Sequence, residues 1–451
     1  MSQLSQQAQP PLEFIPPAFN PLILRGCQTI LPLWLQWQTN IKQIDGKNIE
    51  KLAHLYQEFQ SGKIRFLMAF RHPNVNDPYC MGYLVWKLLP RVAKQHNISL
   101  NYPIHSHFMY DRGIPLWAGS AVGWLYSQLG GTSIQRGKLD MPGLRSARDL
   151  FVNSKFPLSA APEGATNGHN EIISPLEPGI AQLGFWCAED LRKANRDEEV
   201  FIVPIGIQYH YLTPPWDEIE ALLTQLEKDS GIPTNNNQKN GINEEDLYKR
   251  LYQLGERMLT VMEDFYRKFY HRDLPNTSEQ TLPERLNNLM NTALEVAETY
   301  FNLSPKGSII DRCRRLEQAG WDYIYRDDFK QIDQLSKVEK GLGDRIAEEA
   351  SFKMWHMRLV ESFVAVTGHY VQEKSTAERF AETTLLLWDL VTRIKGESAF
   401  FRPQLGQQKV KITIGDPISV SARSDNYKKS RRQVVESLTQ DLQEALEDLI
   451  D

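Results

Sequence analysis

Only four cysteines occur in 451 residues, Cys27, Cys80, Cys187 and Cys313, and they are scattered. No pair has metal-ligand spacing, which excludes a zinc module or a disulfide scaffold and fits reduced thiols. Neither sign of charge dominates: 51 basic residues stand against 56 acidic ones, a net charge of −5. There is no Lys/Arg-dense stripe with interleaved aromatics, so no nucleic-acid partner is expected. No run of about 18 uncharged apolar residues occurs, so no spanning helix is expected. The polar stretch Met1-Ser-Gln-Leu-Ser-Gln lacks the basic-then-apolar pattern of an export signal. The expectation is a cytoplasmic protein whose contact with a membrane would be peripheral. No Gly-x-Ser-x-Gly elbow precedes a suitable Asp and His, so a hydrolase-type serine nucleophile is not expected.

What is there begins with length, enough for a large core and two or three domains. The chain is organised around Leu67-Met-Ala-Phe-Arg-His-Pro-Asn-Val-Asn-Asp77-Pro78. The apolar run Ile64 to Phe70 has strand length and ends in a polar, Pro-containing turn. A helical pattern comes next, from Tyr79 to Lys94. His72 and Asp77 share the turn. A carboxylate there can bond one ring nitrogen and leave the other free to take a proton. With ten histidines in the chain, such a pair arises by chance about as often as not. Its meaning depends on the residues C-terminal to it.

Further along, a helix is expected from about Ala118 to Leu129. The Gly130-Gly131 turn and a short strand lead into Arg136. Strand ends are where α/β sheets bind ligands, and a guanidinium suits a phosphate. Next, Phe156-Pro-Leu-Ser-Ala-Ala runs into Pro162-Glu163-Gly164-Ala-Thr166-Asn167-Gly168, a strand followed by a turn bearing one carboxylate. A helix over Pro178–Ala194 and a strand over Glu199–Ile207 complete an alternation of strands and helices, which argues an α/β layered core.

Four blocks stand in one order: His72-x4-Asp77, Gly131-Thr-Ser-Ile-Gln-Arg136, Pro162-Glu163-Gly164 and Ile202-Val-Pro204-Ile. Together they resemble the glycerolipid (lysophospholipid) acyltransferase family. Val410-Lys-Ile-Thr-Ile-Gly415-Asp416-Pro417 looks like the strand and turn that close the same domain. The resemblance implies a mixed sheet flanked by helices. It implies O-acyl transfer from an acyl-thioester, acyl-CoA or acyl carrier protein, to a lysolipid hydroxyl, with no cofactor or metal. His72 would be the base and Asp77 its orienter. Arg136 would hold the acceptor phosphate, and Glu163, Gly164 and Thr166 would shape the acceptor site. Many phosphatidate-making members continue the third block with Thr-Arg-Ser. Here Thr166-Asn167-Gly168 looks more like members acting on lysophospholipids with a headgroup. Arg71 also departs from the small polar residue often found before the histidine, and the sequence assigns it no role.

The closing strand usually follows the fourth block closely; here about two hundred residues intervene. The expected division is N-terminal helices over 1–60, an α/β core over 61–215, an all-helical insertion over 216–405, and a closing strand and helix over 406–451. Residues 1–18 are Gln- and Pro-rich and read as flexible. Phe19 to Trp37 either lies in a membrane interface with Leu22, Ile23, Leu33, Trp34, Leu35 and Trp37 inserted, or packs on its own domain. Asn243 reads as an N-cap, with helices expected over 280–301, 308–319, 342–370 and 377–394. Arg312, Arg314 and Arg315 read as a solvated face. A second class of function, a non-catalytic lipid-binding or scaffold protein with this fold, is opposed by the presence of His72, Asp77, Arg136 and Glu163 together.

Overall fold

Strand β2 (Ile64–Phe70) is buried at every position, as expected of a parallel strand covered on both faces. Phe66, Met68 and Phe70 point into one core and Leu67 and Ala69 into the other, following the two-residue period of a strand. A computed structural model of the chain describes residues 7–135, 140–233, 243–275, 280–361, 369–399 and 402–450.

In chain order the first elements are α1 (Pro21–Gln38), β1 (Ile41–Lys47), α2 (Ile49–Gln60) and β2. Next come α3 (Asp77–Tyr83), a π-helical turn (Leu84–Leu88), α4 (Leu89–Gln95), β3 (His107–Asp111), α5 (Ile114–Ala118) and α6 (Ser120–Gln128). Then follow β4 (Thr132–Ile134), α7 (Met141–Asn153), β5 (Leu158–Ala160), α8 (Gly179–Lys193) and β6 (Glu199–Tyr211). The chain continues through α9 (Trp216–Asp229), α10 (Glu244–Tyr270), α11 (Leu282–Phe301), α12 (Ile309–Ile324), α13 (Lys337–Glu361), α14 (Tyr370–Glu373) and α15 (Ala377–Ile394). It ends with β7 (Gln408–Ile414), β8 (Ile418–Ser419), α16 (Ser424–Lys429) and α17 (Arg431–Glu447).

The protein is mixed α/β. Among the described residues one eight-stranded sheet runs β1-β7-β6-β2-β5-β3-β4, with β8 on β6. Its centre is parallel: β2 pairs β5 and β6, and β3 pairs β4 and β5. Only β7 and β8 lie antiparallel to β6. Two compact units result, residues 14–212 with 407–451, and residues 1–13 with 213–406. The first holds the sheet. Within the second, no strand is found among the described residues.

Several expectations need correction. Residues 19–60 are not two helices alone, because β1 lies between α1 and α2 and pairs in parallel with β7. Residues 114–128 form two helices, broken at Gly119 with φ +92°. Residues 7–18 are engaged rather than loose. The Gln9 N–H donates to the Ile324 carbonyl at 2.8 Å, and the Arg326 N–H donates to the Gln9 carbonyl at 2.9 Å. Arg312 is not on a solvated face: it is buried and pairs with Glu298 at 2.8 Å. Part of the helix expected over 342–370 lies outside the described residues. No helix among the described residues is long and apolar enough to cross a membrane.

Candidate active site

Parallel pairing puts the loops after β2 and β5 at the same edge of the sheet, since Leu67–Ala69 lies beside Leu158–Ala160. The first loop carries His72 and Asp77, the second Glu163. Asp77 opens α3, where a carboxylate suits the positive helix end. Pro90 in α4 can neither donate nor tolerate a carbonyl four residues back. The preceding π turn absorbs this, with the Leu89 N–H reaching the Leu84 carbonyl.

His72 and Asp77 meet: Nδ1 lies 2.9 Å from Asp77 Oδ2. Oδ2 also accepts the Asn74 N–H at 2.8 Å, and Oδ1 accepts the Tyr209 hydroxyl at 2.5 Å. Surrounded by donors, Asp77 acts as an acceptor, so Nδ1–H donates to it and Nε2 keeps its lone pair. The Asp77 side chain is fully buried, whereas that of His72 is 22% exposed. The carboxylate is therefore sealed and the imidazole is open.

Glu163 is 3% exposed, and its oxygens are occupied by the protein. Oε1 accepts the His72 N–H at 2.8 Å; Oε2 accepts the Ser174 N–H at 3.0 Å and Asn167 Nδ2–H at 3.2 Å. Burial pushes its carboxyl above the usual range, opposed by the Arg71 guanidinium and the two N–H donors. Glu163, expected to shape an acceptor site, has both oxygens taken up by the protein and braces the His72 main chain. Asn167 turns inward too, donating to the Ile172 carbonyl at 2.6 Å.

Arg71, without a role in the sequence, is fully buried. Its guanidinium donates to the carbonyls of His169 at 2.8 Å, Ile172 at 2.7 Å and also Asn170. Its Nε lies 3.9 Å from Glu163 Oε1. It thus ties the β2 loop to the long stretch between β5 and α8. That stretch lacks regular structure, and loops of such length are commonly functional. The Glu177 N–H closes its base on the Pro162 carbonyl at 2.8 Å. Gly164 has φ +76°, the left-handed region that favours glycine. Thr166 is exposed on the same loop.

Arg136 lies outside the described residues. The residues flanking it are tied together, because Asp140 Oδ2 accepts the Gln135 N–H at 2.9 Å and pairs with buried Arg112. Tyr209, Arg71 and Asn170 are the members that sequence reasoning missed. Tyr209 offered one signal: it ends the inward face Val203, Ile205, Ile207, Tyr209 of β6, and a buried phenol needs a partner. Among the described residues no His, Cys, Asp and Glu group could hold a metal ion.

Beside the site, α1 buries Leu24, Leu31 and Leu35 and leaves Leu22, Ile30, Leu33, Trp34 and Trp37 exposed, Trp37 by 79%. At 100° per residue these exposed side chains share one arc. The Trp34 ring lies 6.2 Å from that of Tyr79, two residues beyond Asp77. Scans against models of known protein families and against curated proteins find no match.

Proposed function

We propose that the protein is an O-acyltransferase moving a fatty acyl group from an acyl-thioester to a hydroxyl of a lysophospholipid or glycerol-phosphate-type acceptor. The observation that carries this reading is the His72–Asp77 contact of 2.9 Å, with a buried carboxylate behind a half-open imidazole. The four-block resemblance to glycerolipid acyltransferases supplies the substrate class.

An alcohol is a poor nucleophile at neutral pH. His72 Nε2 takes its proton as the oxygen attacks the thioester carbonyl, and Asp77 stabilises the imidazolium. The tetrahedral intermediate collapses with cleavage of the C–S bond. The proton passes from His72 to the departing thiolate, so ester and thiol are the products. Cys80, the cysteine nearest the dyad, offers no nucleophile for an acyl-enzyme: it is buried, and burial pushes its thiol up.

The exposed apolar arc of α1 supports a peripheral seat on the lipid surface that supplies the acceptor. Trp34 and Trp37 have the ring chemistry of interfacial anchors.

The test is acyl transfer from a labelled acyl-thioester to lysophosphatidate, headgroup-bearing lysolipids and lysoglycolipids, with His72→Ala alongside. Transfer to one acceptor that vanishes in the variant is the expected result. No transfer to any acceptor, with equal lipid binding by both proteins, would favour a non-catalytic lipid-binding protein.

A further inference from the structure

We infer that Tyr209 is a positioning residue of this site, its hydroxyl anchoring Oδ1 of Asp77 and so setting how strongly Oδ2 engages His72. The inference rests on His72 being the base, as proposed above. Its first support is the length of β6. Phe70, the last residue of β2, pairs with Ile205, yet β6 runs on to Tyr211. Tyr209 therefore belongs to the part of β6 that overruns its neighbour, beneath the loop where β2 has already turned away. The second support is how firmly it is held. The Tyr209 N–H donates to Asn170 Oδ1 at 2.8 Å, and Asn170 Nδ2–H donates back to the Tyr209 carbonyl at 2.5 Å.

The third support is direction. Burial, with Asp77 and Cys80 beside it, pushes the Tyr209 phenol well above its ordinary value, so it stays protonated and donates to Asp77 Oδ1 at 2.5 Å. Its oxygen is then left to accept from Cys80 Sγ–H at 3.5 Å. Asp77 Oδ2 is occupied by His72 and Asn74. Without the phenol, Oδ1 would be a buried anionic oxygen with no donor, and Oδ2, still held by His72 and Asn74, would carry more of the charge. The phenol also draws charge from Asp77, so it tempers how strongly Asp77 stabilises the His72 imidazolium.

A group that merely fills space would not set the titration of His72, and that difference is the test. The ring of His72 is followed by NMR in the full-length protein labelled in histidine, with His72→Gln to assign the resonance. In Tyr209→Phe the titration midpoint should move to higher pH by about half a pH unit. Turnover should fall about tenfold with KM nearly unchanged, and the acid limb of the rate profile should move the same way. Replacing Tyr209 by 3-fluorotyrosine, a more acidic donor of nearly the same shape, should move the midpoint to lower pH. This second variant decides the matter if Tyr209→Phe does not fold. A midpoint unmoved in a folded variant overturns the inference. The titration needs no acyl acceptor, so a wild-type protein without acyl transfer would sink the acyltransferase reading and leave this test standing.

Discussion

The Glu163 carboxylate accepts the backbone N–H of His72 at 2.8 Å, so a side chain after β5 fixes the main chain after β2. Its other oxygen takes the Ser174 N–H and Asn167 Nδ2–H. A carboxamide can accept through one oxygen only, and its NH2 would face one of these donors. In Glu163→Gln the buried Arg71 guanidinium also loses the carboxylate charge 3.9 Å from its Nε. We expect stability to fall by about 2–4 kcal/mol in urea unfolding. We expect acyl transfer to fall about 10- to 100-fold through kcat. A variant as stable and active as wild type would show that Glu163 is no brace.

Asp77→Asn tests the charge. The amide keeps its oxygen on His72 and the Asn74 N–H and turns its NH2 to the Tyr209 hydroxyl, which can accept, so the ring keeps its tautomer but loses the anion that stabilises the imidazolium. A loss on the order of 10²- to 10⁴-fold in kcat is expected. The circular dichroism spectrum should be unchanged. Retention of more than about a tenth of the activity would mean that the Asp77 charge does not support the base.

The site was legible where its chemistry is local. His72 and Asp77 are five residues apart and turn together in one loop. What failed was non-local. Arg71 meets carbonyls about one hundred residues on, and nothing beside it in sequence announces that. Strand β1 reads Ile41-Lys-Gln-Ile-Asp-Gly-Lys47, with a mostly exposed pattern. It lacks two-residue alternation and is a strand because β7, more than 360 residues away, pairs with it. Arg312 reads as solvent-facing until Glu298 on α11 is brought opposite. The closing strand succeeded across a similar distance because Val410, Ile412 and Ile414 carry their own alternation.

The exposed arc of α1 predicts lipid binding that can be removed without unfolding. Trp34→Ser with Trp37→Ser leaves the docking residues Leu24, Leu31 and Leu35 untouched. Two large side chains, each contributing about 1.5–3 kcal/mol on burial, correspond to a drop of roughly 100-fold or more in vesicle partitioning. Sedimentation with phospholipid vesicles would measure it, and the unfolding midpoint should hold. Equal sedimentation of both proteins would show that the α1 arc is no lipid contact.

Stability should fall on acidification because buried histidines resist protonation, His105 and His356 most strongly. The Trp86 indole N–H donates to His105 Nδ1 at 3.1 Å, and His105 Nε2–H donates to the Leu129 carbonyl at 2.7 Å, a pattern only the neutral ring can make. Burial pushes His105 down to about 3. In the helical unit, His356 lies between the Tyr266 and Tyr270 hydroxyls at 2.7 and 3.0 Å and is likewise pushed down to about 3 by burial. Unfolded, each ring takes a proton near pH 6.5. Between pH 6.5 and 3 the unfolded state therefore binds more protons, and stability is lost as the pH falls through that window. From pH 7 to 5 the loss should be about 2 kcal/mol per ring. Urea unfolding at the two pH values measures the sum. His105→Gln, which can offer the same donor and acceptor, should remove about 2 kcal/mol of the loss while leaving the share due to His356. A slope unchanged in that variant would mean that His105 is already protonated in the folded protein, against the donor pattern around it.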